Sequence, residues 1–163
     1  MNKEQAFYES QTYKLYNTIR RDYGFSNDCI IKFGDYRSRL VSHYHVINGK
    51  YLGFTIEINE DDFYPEYALL HELGHAIDFY KISRKDFDKI LNDSFLKLLC
   101  ELKAWSNAIK LCVKYNIEVN KKQFQKDMIN CMQSYINTEL VMLDDQEIDT
   151  IRSNYYNLIK CLE

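Results

Sequence analysis

Apolar side chains recur at helical spacing in the first twenty residues, where Ala6, Phe7, Leu15 and Ile19 are joined by Tyr8, Tyr13, Tyr16 and Tyr23. The pattern predicts one helix over residues 3–22, stopped by Gly24. From Cys29 the texture shortens to the β-type runs "CIIKF", "RLVSHYHVI" and "YLGFTIEI". Asn48-Gly49 separates the last two, and that pair favours a two-residue type I′ turn because both residues tolerate positive φ. Three strands are expected, the last two antiparallel.

After "NEDD" the helical period returns in Tyr67, Leu70, Leu73, Ile77 and Tyr80, with Pro65 at a first-turn position where its missing N–H costs nothing. Ser83 and Asp86 form a cap for the next helix. "SFLKLLCELKAWSNAIKLCVKYN" then predicts a long buried helix to Asn116, with two more from Asn120 to Leu143 and from Asp144 to Cys161. The expected class is α+β: an N-terminal helix, a small, mainly antiparallel three-stranded sheet, then four helices. No repeat or Pro/Gly/Ser-rich linker interrupts residues 1–163, which predicts a single domain.

Composition narrows the partners. Hydrophobic residues at 46% supply a core and exclude intrinsic disorder. With 21 basic against 24 acidic side chains there is no footprint for nucleic acid or an anionic membrane, so neither is an expected partner. The polar N-terminus lacks the apolar stretch of a signal peptide, and no run reaches the roughly 18 apolar residues of a membrane span. Five scattered cysteines, Cys29, Cys100, Cys112, Cys131 and Cys161, form no C-x-x-C pair and read as small hydrophobes in a reducing compartment. A cytoplasmic protein is expected.

The chemistry lies in "ALLHELGHAIDFYK", residues 68–81. Helical residues four apart stand about 6 Å apart at Cβ on one face, so His71 and His75 can present two imidazoles to one ion. Zinc takes such nitrogens at about 2.0–2.1 Å. Glu72, rotated about 100° from His71, is too far round to be a third ligand on that ion but is placed to take a proton from water held there. The alternative is an amphipathic helix that carries two histidines without purpose. Gly74 inside the helix, at a cost of about 1 kcal/mol against alanine, argues for close approach of another element.

A third protein ligand is needed for a catalytic site, and Glu101 on the following long helix is the best acidic candidate, with Ala104 one turn on small enough to let the two helices meet. Its alternative reading is an ordinary solvated carboxylate. For an oxyanion-stabilising group the sequence offers His43, His45, Tyr135, Tyr155 and Tyr156 and does not choose among them. Glu60, Asp61 and Asp62 could favour basic substrate residues, although serving the dipole of the next helix explains them equally well.

"HELGH" followed by "ELKA" resembles the gluzincin branch of zinc metallopeptidases, over about residues 50–108. It is similar to the small ImmA/IrrE-like peptidases of bacteria and phages and to the mini-gluzincins, and "HELGHAIDFY" also resembles the active-site helix of anthrax lethal-factor-like domains. The resemblance implies a zincin-like fold and hydrolysis of a peptide or protein substrate. It implies Zn2+ bound by His71, His75 and Glu101, with Glu72 as general base. In zincins the strand before the metal helix, here "YLGFTIEIN", commonly pairs with substrate. Trp105 stands where thermolysin-like relatives carry an aspartate. Asp78, one turn after His75, is a candidate acceptor for an imidazole N–H, or a surface carboxylate. No third histidine of the metzincin type follows. Two other outcomes are a non-catalytic module on the same fold, and a protease autoinhibited by the N-terminal helix or the helix from Asn120.

Overall fold

The computed structural model describes residues 2–161 and shows an α+β chain: two helices, a three-stranded mixed sheet, then five helices. The first predicted helix is divided into α1 (Lys3–Glu9) and α2 (Gln11–Asp22). Ser10 makes the division: its side chain accepts from the Tyr13 N–H and caps α2, a local hydrogen bond that competes with helix continuation. Gly24 ends the segment at φ 68°.

The strands are β1 (Ile30–Gly34), β2 (Arg39–Tyr44) and β3 (Tyr51–Asn59), ordered β1-β3-β2. β1 runs parallel to β3 and β2 antiparallel to it, with Leu40 opposite Ile56. β3 therefore sits in the middle and buries Phe54, Ile56 and Ile58. This corrects the expectation that β3 could pair with a substrate, because both its edges are already hydrogen-bonded and only β1 and β2 have a free edge. The connection after β2 is also longer than a two-residue turn. A bulge at His43/Tyr44 shifts the register before the last pair, Tyr44 opposite Tyr51, and a loop closed by His45 N–H to Lys50 O at 2.7 Å follows, with Gly49 at φ 64° but Asn48 outside the positive-φ region.

α3 (Pro65–Phe79) opens with Pro65 in its first turn, as the sequence predicts, and packs on β2 and β3. Its own Leu69, Leu70 and Leu73 are fully buried. α4 (Arg84–Leu91) is capped by Ser83, and α5 (Ser94–Tyr115) ends at Asn116 in the left-handed conformation, φ 50°. α6 (Lys121–Glu139) passes through a single 3-10 turn, Leu140–Met142, into α7 (Asp145–Lys160), whose Asp144/Glu147 pair forms a reciprocal capping box. Five helices thus follow the sheet rather than four, because α4 and α5 are separated at Asn92-Asp93.

The most extensive helix packing is α3 against α5, and Gly74 is its reason. A Cβ at Gly74 would lie 2.1 Å from the carbonyl oxygen of Ala104. Asn107 Nδ2 donates to the Gly74 carbonyl at 3.1 Å and fixes the register of the crossing. Among the described residues no helix is long and apolar enough to cross a membrane.

Candidate metal centre

The α3–α5 crossing puts Glu101 opposite the histidines one turn from the contact point. His71 Nε2 lies 3.1 Å from Glu101 Oε2, and His75 Nε2 lies 3.4 Å from Oε1. Glu101 Oε2 and both imidazole Nδ1 atoms are buried without a hydrogen-bond partner among the described residues. Glu101 Oε2 thus approaches His71 Nε2 without a well-formed hydrogen bond, and the far nitrogen of each ring is unpaired among the described residues. Two ligands about 2.05 Å from a shared ion in tetrahedral array stand about 3.3 Å apart, close to the separations seen here. The residues present therefore fit a divalent cation.

A fourth donor comes from α6. The ligand atoms of His71, Glu101 and Cys131 all lie within 4.8 Å of one another. His75 stands beside this cluster, on the other Glu101 oxygen. Sequence reading missed Cys131 as a donor, since nothing local separates it from the other four cysteines. The only signal was its spacing of four from Tyr135, which places both on one face of α6. As for the other thiols, Cys29 is buried as expected, whereas Cys161 is exposed.

Trp105 packs its ring on His71 with centroids 4.4 Å apart, and Phe79 stacks on His75 at 5.5 Å. Asp78 does not accept from either imidazole. Its Oδ1 holds Lys103 Nζ at 2.9 Å, which bridges α3 and α5 instead. Of the oxyanion candidates, only Tyr135 faces the centre. His43 is exposed on β2 with Nε2 2.8 Å from Thr55 Oγ1, His45 lies in the exposed loop, and Tyr155 and Tyr156 belong to α7. Burial raises the Tyr135 pKa, and the adjacent Glu101 carboxylate raises it further.

The centre is closed: His71, Glu72, His75 and Glu101 are 6%, 6%, 8% and 7% exposed. A cavity of about 320 Å³ lies on its His71 side, walled by Tyr64, Tyr67 and Trp105, and one of about 310 Å³ on its His75 side, walled by Phe79, Phe87 and Leu91. Both are lined by Arg37, Ser38, Glu72 and Tyr135. The acidic run before α3 is divided: Asp61 pairs with Lys3 at 3.0 Å, and Asp62 accepts from Ser38 at the rim of the first cavity.

Burial opposes a charge on His71, yet the Cys131 thiol and the Glu101 carboxylate hold its pKa well above 6.5 in metal-free protein. Burial also opposes the Glu101 charge, and His75 and His71 overcome it, holding that carboxyl well below its usual range. Glu72 moves the other way, raised by burial against the pull of His71, His75 and the Leu40 N–H. The raised His71 contributes stability that is fully present below its unfolded value of 6.5 and is lost as pH rises through the folded value. The raised Glu72 also loses stability with rising pH, starting above 4.5, whereas the depressed Glu101 loses it on acidification below 4.5. Chelator-treated protein is therefore expected to melt at progressively lower temperature above pH 6.5, more steeply in wild type than in His71→Ala. Parallel slopes in EDTA melts of the two proteins would contradict this assignment.

Comparison with protein-family models, with curated proteins and with solved structures finds no match.

Proposed function

We propose that the chain is a small zinc-dependent peptidase of the gluzincin type, with His71, His75 and Glu101 holding the metal and Glu72 as general base. The observation that carries the reading is the convergence of both Nε2 atoms on the two oxygens of Glu101, at 3.1 and 3.4 Å, with Glu72 lining the cavities on either side. Nitrogen, oxygen and sulfur donors in this mixture suit zinc better than magnesium or calcium. The metal, when bound, supplies Lewis-acid polarisation of a carbonyl and acidifies water.

The remaining work falls to the chain. Glu72, buried and with its pKa raised, is a better proton acceptor than a solvated carboxylate and can return the proton to a leaving amine. Tyr135, beside Glu101 and lining both cavities, is the side chain that would donate to a developing oxyanion. β2 is the sheet edge nearest α3, so an extended peptide would pair with β2 and run between the two cavities.

A second reading is favoured by Cys131. A set of His71, Glu101 and Cys131 donors with a protein sulfur among them resembles a structural metal site, and would make this a metal-stabilised binding module. Glu72→Gln separates the two. The peptidase reading expects one zinc per chain by elemental analysis in both proteins, and hydrolysis of an unstructured polypeptide reduced by about 10²–10⁴-fold in the variant. Zinc in both proteins with no hydrolysis by wild type in any state, including after loss of Cys131, favours the module. Absence of zinc even after its addition removes both readings.

A further inference from the structure

Resting on the metal-site reading above, we propose that α6 is a built-in stopper: the Cys131 thiol is a ligand in the resting centre and holds the coordination position that an incoming substrate group needs. The known chemistry of the two-histidine, one-glutamate set leaves that position open. Here the Cys131 sulfur lies within 4.8 Å of the His71 and Glu101 donor atoms, near enough to reach that position on an ion they share.

Three features of α6 fit this role. Tyr135, one turn after Cys131 on the same face, lines both cavities, so the helix divides what would otherwise be one cleft at the level of Glu72. Apart from Cys131 and Tyr135 the residues of the centre belong to α3 and α5, so the donor set His71, His75 and Glu101 is complete without α6. The helix is also pinned from outside the centre at both ends. The Asn120 N–H donates to the Tyr67 hydroxyl at 3.1 Å before its first turn, and Lys97 Nζ reaches Glu139 at 3.1 Å in its last. Both latches are polar, and between them Phe124, Met128 and Met132 are fully buried in the core, so displacement of the thiol leaves the helix in place. Binding needs no redox partner: Sγ takes up the cation and its proton leaves to solvent, and displacement of Sγ by another ligand reverses the exchange.

The test loads purified, chelator-stripped protein with cobalt(II), whose thiolate complexes give a near-ultraviolet charge-transfer band. It compares wild type with Cys131→Ser and Cys131→Ala, two variants so that one folding failure does not decide the matter. Expected is one cobalt per chain in all three, the band in wild type, and its loss in both variants, the other four cysteines serving as internal controls. Acetohydroxamate, a small bidentate metal ligand, should then shift the visible spectrum of the variants at a concentration at least tenfold lower than that needed for wild type. Stoichiometric cobalt without the band in wild type overturns the stopper and leaves the metal reading standing. A band that persists in both variants, or equal acetohydroxamate sensitivity in all three proteins, overturns it also. No cobalt in any of them overturns the stopper and the metal reading together.

Discussion

Gly74→Ala is expected to cost the fold about 3 kcal/mol, the upper part of the range for overpacking a close contact. In an isolated helix the same change would stabilise by about 1 kcal/mol, so the sign itself is diagnostic. The added Cβ would stand 2.1 Å from the Ala104 carbonyl oxygen, 2.8 Å from its carbonyl carbon and 3.0 Å from its Cα. These are backbone atoms, and no rotamer change relieves them. The helices must part, which breaks the Asn107 to Gly74 hydrogen bond and draws Glu101 away from the imidazoles. Urea titration in EDTA measures the loss, and metal affinity should fall with it. Adding Ala104→Gly to the variant should not restore stability, because the obstruction is the carbonyl rather than the methyl. Rescue by that second change would show the contact to be of a different kind.

Glu101→Ala is expected to abolish stoichiometric zinc binding and, independently, to cost metal-free protein about 2–4 kcal/mol. Both imidazoles face this one carboxylate, and both Nδ1 atoms already lack a partner among the described residues. Removing it takes the neighbour of two buried polar groups at once. His71 also loses one of the charges that keep it protonated, so part of the penalty is relieved as the ring gives up its proton. That relief is why the cost falls short of stranding a permanent charge. Glu101→Gln, which keeps the shape and loses the charge, should fall between wild type and alanine in stability while still failing to hold metal firmly. Denaturation in EDTA and zinc titration read the two effects separately. Unchanged zinc stoichiometry in Glu101→Ala would exclude Glu101 as a ligand.

Much of this molecule is legible in local pattern. The α3 and α5 helices, the end of α5 at Asn116 and the start of α7 at Asp144 follow from periodicity and end signals, because each depends on residues within a turn or two. Misreadings have the same locality. Ser10 divides the first helix by one side-chain hydrogen bond that periodicity does not register. Asn48-Gly49 failed as a two-residue turn because the ladder stops at Tyr44 opposite Tyr51, which leaves residues 45–50 in the connection. β3 became the central strand because β1 returned parallel to it, a pairing that no feature of the β3 sequence announces.

The relation of His71, Glu72 and His75 to one another belongs to the sequence alone, since helical pitch places residues four apart on one face whatever surrounds them. Gly74 likewise announced that something would come close. Which group came close, and how the site closed, was decided by tertiary structure. Glu101 reaches the imidazoles only because α5 crosses at Gly74. Asp78 is claimed by Lys103 only because the same crossing brings α5 alongside. Cys131 and Tyr135 reach the centre only because α6 folds back over it, 60 residues or more after the histidine helix begins at Pro65. Such contacts depend on packing summed over the whole chain, and a stretch of sequence carries no local record of them.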